Sequence, residues 1–188
     1  MLTPDLAAWA DRHDLIVIDG YDGTGKTTLA RRLAAEHGYR IWHASLTPDG
    51  TDLFARYHAI ITQPQRQALD RSFISELVYG PLERGRSRLT LDQATRLAVA
   101  VADRGIFVHL TCEPDQIAAR LLARDGSAPA TPHIRAFTAA YAQVFAVLAE
   151  HAPSCRHRYL SHLMTGQADG IFAPPAFVLT STPFDSGR

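Results

Sequence analysis

The stretch IVIDGYDGTGKTT, residues 16–28, constrains what this chain can fold into more than any other. Leu15 to Ile18 is a short β-branched apolar run, as a strand buried on both faces requires. Asp19 ends it, and Gly20 to Thr27 fits G-x-x-x-x-G-K-[ST] in full. Lys26 to His37 then reads as a helix, with Leu29 and Leu33 four apart and Gly38 placed to close it. Strand, glycine turn and helix in this order make a phosphate cradle. Gly20, Gly23 and Gly25 let backbone N–H groups turn inward, and the helix N-terminus adds a favourable field. Thr24 and Thr28 complete the lining. Lys26 is expected to neutralise the β- and γ-phosphates, and Thr27 to offer its hydroxyl to Mg²⁺. A bare glycine-rich turn would share some of these letters, but motif and context agree on a nucleoside triphosphate. ATP and Mg²⁺ are the expected cofactors.

The rest of the chain alternates strands with helices. Thr3-Pro4 starts a helix running to about His13. A second strand is expected over Tyr39 to Ala44, a loop over Thr47–Thr51 and a helix over Asp52 to Ile61. Ala68-Leu69-Asp70 reads as a short strand and Phe73 to Tyr79 as a helix. Gly80 to Arg88 reads as a basic loop. Thr90 or Asp92 caps a helix to Arg104, and Ile106 to Leu110 is a strand. Pro114 to Arg124 and His133 to His151 are helices around a mobile Ser127–Pro132 loop, and Arg158 to Leu160 a last strand. This pattern predicts a three-layer α/β/α sandwich with a parallel sheet of about five strands.

Composition narrows the classes further. Lys+Arg and Asp+Glu are both 19, so the formal net charge is zero, against a large non-specific nucleic-acid surface. The two cysteines, Cys112 and Cys155, do not make a disulfide scaffold, and no apolar run approaches the roughly 20 residues that span a bilayer. The N-terminus carries Asp5 and Asp11 and does not read as a secretory signal. A soluble, cytoplasmic protein without membrane attachment is expected.

Asp70-Arg71 ends the third strand beside the cradle. A carboxylate there can hold Mg²⁺ through water, and the guanidinium can grip an acceptor phosphate with two parallel hydrogen bonds. The same pair would also serve as a surface ion pair. Arg120 and Arg124 lie four apart on one helix face, just before the Ser127–Pro132 loop. Both could point at transferred phosphate when a loop closes, or both could be solvated. Arg124, nearer the glycine, is the better placed by sequence.

DGTGKTT, together with Asp70, Arg71, Ser75 and Tyr79 in the spacing D-R-x-x-x-S-x-x-x-Y, resembles the thymidylate kinase family and its deoxynucleoside kinase relatives. The resemblance runs from about Leu15 to Leu148. It implies a single P-loop kinase domain over residues 1–188, with a lid at about 120–133 and a tail from about 166 to 188. It also implies that Arg71 binds the acceptor phosphate, and that Ser75 and Tyr79 line the substrate side. An acid inside an anion cradle is otherwise awkward; the resemblance implies that Asp22 faces the acceptor sugar, although an Asx turn would also explain it. Relatives of this kind are often dimers, so a homodimer is one expectation.

The sequence departs from that family in three places. The upstream acid and arginine of its E-P-G-G-T loop are missing around Leu46–Thr51, where Asp49 is a substitute or simply part of a Pro-Asp-Gly turn. The span before Asp70 is short, leaving Tyr57, Phe54, Trp42 and Phe73 as aromatic candidates for a base pocket, unless they are core. The Gly80–Thr90 stretch carries Arg84, Arg86 and Arg88 and resembles a segment of thymidylate-kinase-like proteins of phages and actinobacteria. Its arginines either grip a polynucleotide backbone, with Arg84 on the substrate, or merely solvate a loop. The expected activity is phosphoryl transfer from ATP to a pyrimidine deoxynucleoside monophosphate. The alternatives are transfer to the hydroxymethyl group of 5-hydroxymethyluracil in DNA, and a nucleotide-binding regulatory module without turnover.

Overall fold

A computed structural model describes residues 4–44, 47–152 and 159–163. Five strands, β1 (Leu15–Asp19), β2 (Arg40–His43), β3 (Gln67–Asp70), β4 (Gly105–Thr111) and β5 (Tyr159–Leu163), pair in the order β2-β3-β1-β4-β5. Every pairing is parallel. The predicted three-layer α/β fold is therefore present. Parallel strands need both faces covered, and successive side chains divide the two layers between them. Ile16 and Ile18 point into one core with Ile106, Val108 and Leu110; α1 (Pro4–Arg12) and α2 (Lys26–His37) close that face through Leu6, Leu29 and Leu33. Leu15, Val17, Leu69 and Phe107 point into the other. There α3 (Leu53–Ile61), α4 (Phe73–Arg84), α5 (Leu91–Ala102), α6 (Pro114–Asp125) and α7 (Thr131–His151) supply the cover. Each fully buried leucine or isoleucine contributes about 1.5–3 kcal/mol by leaving water.

The strand order places the site. After β1 the chain moves outward to β2 and returns through β3, and it then crosses to β4 on the far side of β1. The connections leaving β1 and β3 thus diverge, opening a crevice at the carboxyl ends of these neighbours, the usual ligand position in such sheets. The cradle leaves β1 there, and Asp70-Arg71 leaves β3.

Several boundaries differ from the sequence reading. The helix expected to stop at Tyr79 continues to Arg84, and Gly85 caps it in the left-handed region. Gly80-Pro81 looked like a break. Pro81 removes a hydrogen-bond donor only in the last turn, and Gly80 is there for close approach. A Cβ at residue 80 would lie 2.8 Å from the Arg86 carbonyl oxygen and 2.9 Å from Ser87 Cα. The basic loop is accordingly half helix. The helix α7 starts at Thr131, two residues earlier than expected, with Pro132 in its first turn. Strand β3 begins at Gln67, whose buried amide donates to the Ile60 carbonyl at 2.5 Å. Thr90 is the cap of α5, in a reciprocal box with Gln93. Arg158 and the tail from 166 lie outside the described residues.

Candidate active site

The cradle is closed on itself. Gly20 sits at φ 148°, and a Cβ there would come within 2.1 Å of the Leu110 carbonyl oxygen, so only glycine lets the turn leave β1 beside β4. The Tyr21 carbonyl accepts from Thr24 Oγ1 at 2.7 Å and from Lys26 Nζ at 2.8 Å. Lys26 is therefore held inside the loop from which it would meet phosphate. Its burial, and secondarily the positive charge of Arg71, pull its pKa down to about 8. An anion in the cradle opposes that shift by favouring the charged form.

Thr27 Oγ1 donates to Asp70 Oδ2 at 2.7 Å, which unites the cradle with the end of β3. His43, at the end of β2, places Nδ1 3.1 Å from the same carboxylate oxygen. A hydroxyl and a carboxylate in contact at the mouth of a phosphate loop fit Mg²⁺, which takes one or two protein oxygens and keeps phosphate and water for the rest. No cluster of three or more acidic, histidine or cysteine side chains suited to a metal occurs among the described residues.

Arg71 occupies the left-handed region at φ 71°, the one described non-glycine residue to do so. That conformation costs of order 1–3 kcal/mol and turns the side chain back toward the cradle. Its guanidinium donates to Asp22 Oδ1 and lies 5.5 Å from the centre of the Tyr79 ring. Burial would lower the Arg71 pKa, but Asp22, with Tyr79 and Tyr141, outweighs it and raises it above the usual arginine value. Lys26 Nζ is 4.0 Å from Asp22 Oδ1, so the acid lies between two cations. The Tyr79 hydroxyl is buried and finds no hydrogen-bond partner among the described residues.

Beneath this pair is a buried carboxylate that the sequence reading did not single out. Asp19 accepts from Ser72 Oγ at 2.5 Å and from Ser75 Oγ at 2.7 Å. Since Ser75 uses its one proton on Asp19, Tyr141 donates to Ser75 Oγ, at 2.9 Å. Desolvation raises the Asp19 pKa to about 6 against these hydrogen bonds. The clamp ties the strand that launches the cradle to the first turn of α4, so Arg71 and Lys26 are fixed relative to each other. A lone acid ending an apolar run, with two serines three apart after D-R, was the available signal.

The other expected residues divide. Ile117 and Leu121 press α6 against Gly23, and Arg120 Nη1 donates to the Gly23 carbonyl at 3.3 Å. Arg124, the better placed by sequence, instead forks onto its neighbour Asp125 at 2.7 Å with 61% of its side chain exposed. Tyr57 is 5% exposed and packs edge-on against Trp42 and Phe73, in the core. Arg84 is bound to Glu76 at 2.6 Å, and Arg88 to the same carboxylate at 3.1 Å. Two of the three arginines suggested for a polynucleotide backbone are thus neutralised within the protein. Ser75 faces Asp19, and Thr24 is wholly buried in the loop.

Residues 16–140 match a family model described as an AAA domain. No curated protein sequence is significantly similar to the chain. Among solved structures, the YorR protein from Bacillus subtilis, in complex with phosphorylated GDP, is similar at a TM-score of 0.65 and 24% identity, over 80% of this chain and 84% of that one. Deoxyadenosine kinase from M. mycoides with bound dCTP gives 0.49 and 13%, over 78% and 88%. Shikimate kinase from Acinetobacter baumannii in complex with shikimate gives 0.47 and 15%, over 87% and 88%. The family matched is this AAA domain, not the thymidylate kinases that the motifs resemble. No described helix is long and apolar enough to cross a membrane.

Proposed function

The chain belongs to the AAA domain family, and from that premise we propose that it is a Mg²⁺- and ATP-dependent phosphotransferase with a nucleoside-type acceptor, a pyrimidine deoxynucleoside monophosphate first among them. The observation that carries this reading is Arg71. A second cation stands outside the cradle, in a costly backbone conformation, facing the acid that the cradle itself contributes. A guanidinium beside the donor site is what gripping an acceptor phosphate requires. In the proposed reaction Lys26 neutralises the donor phosphates, and Thr27 and Asp70 hold Mg²⁺. The bound ion would supply charge neutralisation across the phosphoryl oxygens. Arg71 binds the acceptor phosphate, Asp22 orients the acceptor sugar, and Arg120 guards the cradle from the lid side. Little covalent work falls to the protein; positioning and electrostatics suffice.

The capture of the two arginines by Glu76 weighs against DNA as the acceptor. The test is transfer of label from γ-labelled ATP to dTMP, dGMP, thymidine and DNA containing 5-hydroxymethyluracil. The purine arm is included because the similar YorR structure holds a phosphorylated GDP. Transfer to dTMP is expected. Transfer to DNA alone would replace the acceptor, and ATP binding without any transfer would leave a nucleotide-binding module.

A further inference from the structure

The basic stretch at the end of α4 has a use that phosphate contact does not explain. Glu76 is only 8% exposed, and burial alone would raise its pKa; hydrogen bonds from Arg88 and Arg84 outweigh that and lower it. Its Oε1 accepts from Arg84 Nη2 at 2.6 Å and from the Arg88 backbone N–H at 2.9 Å, and its Oε2 from Arg88 Nη2 at 3.1 Å. One carboxylate thus meets two guanidinium groups. The second arm of Arg88 leaves the cluster: Nη1 donates to the Thr47 carbonyl at 3.1 Å, reaches that of Pro48 at 3.5 Å and lies 3.8 Å from Asp49 Oδ1. A fork held on one side by a buried acid and on the other by two carbonyls fixes the two segments against each other. The absent side chain of Gly80 lets the arginine segment fold back that closely, since a Cβ there would also stand 2.9 Å from Glu76 Oε1.

The segment so held follows β2, whose last residue, His43, contacts Asp70. It therefore emerges on the carboxyl edge of the sheet, on the β3 side of the crevice, away from the cradle. This is the stretch whose upstream acid and arginine are missing from the sequence. We propose that Arg88, clamped by Glu76, is a positioning residue that holds the Thr47–Asp49 turn as the outer wall of the acceptor site. The inference rests on the phosphotransferase reading. Arg88 sets acceptor affinity and takes no part in phosphoryl transfer.

Steady-state kinetics of the full chain test it, with dTMP as acceptor or whichever member of the panel turns over. Arg88→Met is expected to raise the acceptor KM about 10-fold while leaving kcat within about 3-fold and the ATP KM unchanged. Arg88→Lys should recover part of the loss, and exposed Arg86→Ala should keep the wild-type values. Hydrogen exchange of the 47–51 amides should quicken in Arg88→Met, with α2 as protected as before. Glu76→Gln, which keeps the shape of the side chain, should show the same KM pattern if Arg88→Met folds poorly. An unchanged acceptor KM in Arg88→Met would overturn the inference alone. So would a parallel loss of ATP affinity and α2 protection, which marks general damage. A wild type that phosphorylates no acceptor would overturn the inference together with the reading beneath it.

Discussion

The two sides of the crevice are built in different ways. The cradle side is one continuous segment: Gly20 to Thr27 makes its own turn, and its Tyr21 carbonyl holds its own lysine. The other side, where the acceptor is proposed to bind, is assembled from distant pieces. Arg71 comes from the end of β3, Tyr79 and Glu76 from α4, and the 47–49 turn is held by Arg88. A contiguous site needs only local geometry, so its sequence pattern is rigid. An assembled site needs buried fasteners, and here they are the Asp19–Ser72–Ser75–Tyr141 chain and the Glu76–Arg88 fork. On the proposed reading, the contrast teaches that changes to the second side would alter specificity without disturbing the first.

Lys26→Ala is the severest test of the cradle side, with transfer expected to fall by roughly 10³-fold, because a preorganised charge on the phosphoryl oxygens is lost. Activity retained by this variant would sink the cradle assignment. Arg71 tests the other side. Arg71→Gly is expected to lower kcat/KM for the acceptor by about 10²-fold with ATP affinity intact. The same change relieves the φ 71° strain, so thermal stability should hold or rise. Joint loss of ATP and acceptor binding would break the division between the two sides.

The seam between them carries a pH signature. Asp19 has a folded pKa raised to about 6 by desolvation, so its contribution is full below the unfolded value and is lost as pH rises through 6. His109, buried on β4 and stacked on Tyr141 and Phe145, has a pKa lowered to about 4 by desolvation. Its contribution runs the other way and is lost as pH falls toward 4. Between pH 7 and 4.5 the two amount to about 2 kcal/mol each in opposite directions, so their contributions nearly cancel. In His109→Phe, denaturant unfolding should show stability rising by about 2 kcal/mol on acidification from pH 7 to 4.5 relative to wild type. An unaltered slope would mean that these two groups do not oppose each other.

The smallest effect concerns α6. Arg120→Ala should reduce kcat by about 10-fold and Arg124→Ala by less than about 3-fold, since Arg120 touches the cradle and Arg124 is occupied by Asp125. The reverse order, read in the same transfer assay, would show that Arg124 leaves Asp125 during turnover.

Much was legible beforehand where neighbours in sequence are neighbours in space. The strand Leu15–Asp19, the turn and the helix Lys26–His37 follow from β-branching, glycine and a 3.6-residue repeat. The five-stranded parallel sheet follows from strands alternating with helices, while its strand order is seen only in the fold. The end of α4 departs from the sequence expectation because Gly80-Pro81 is a local stop signal, and packing of Ser87 and Arg86 on Gly80 overrides it. Arg124 was favoured over Arg120 on distance along the chain to a glycine, whereas the way Ile117 and Leu121 seat α6 on Gly23 decides which arginine reaches the cradle.

The sequence alone therefore determined the cradle, its lysine and the sheet that presents them, since hydrogen-bonding geometry within a dozen residues dictates all three. Only the tertiary structure decided what the remaining charges do. Arg84 and Arg88 look like a free basic patch in one dimension and are consumed by Glu76 in three. Asp22 looks misplaced in an anion loop until Arg71, 49 residues away, meets it. Charge acts through space, and the distances that decide its partners are set by folding.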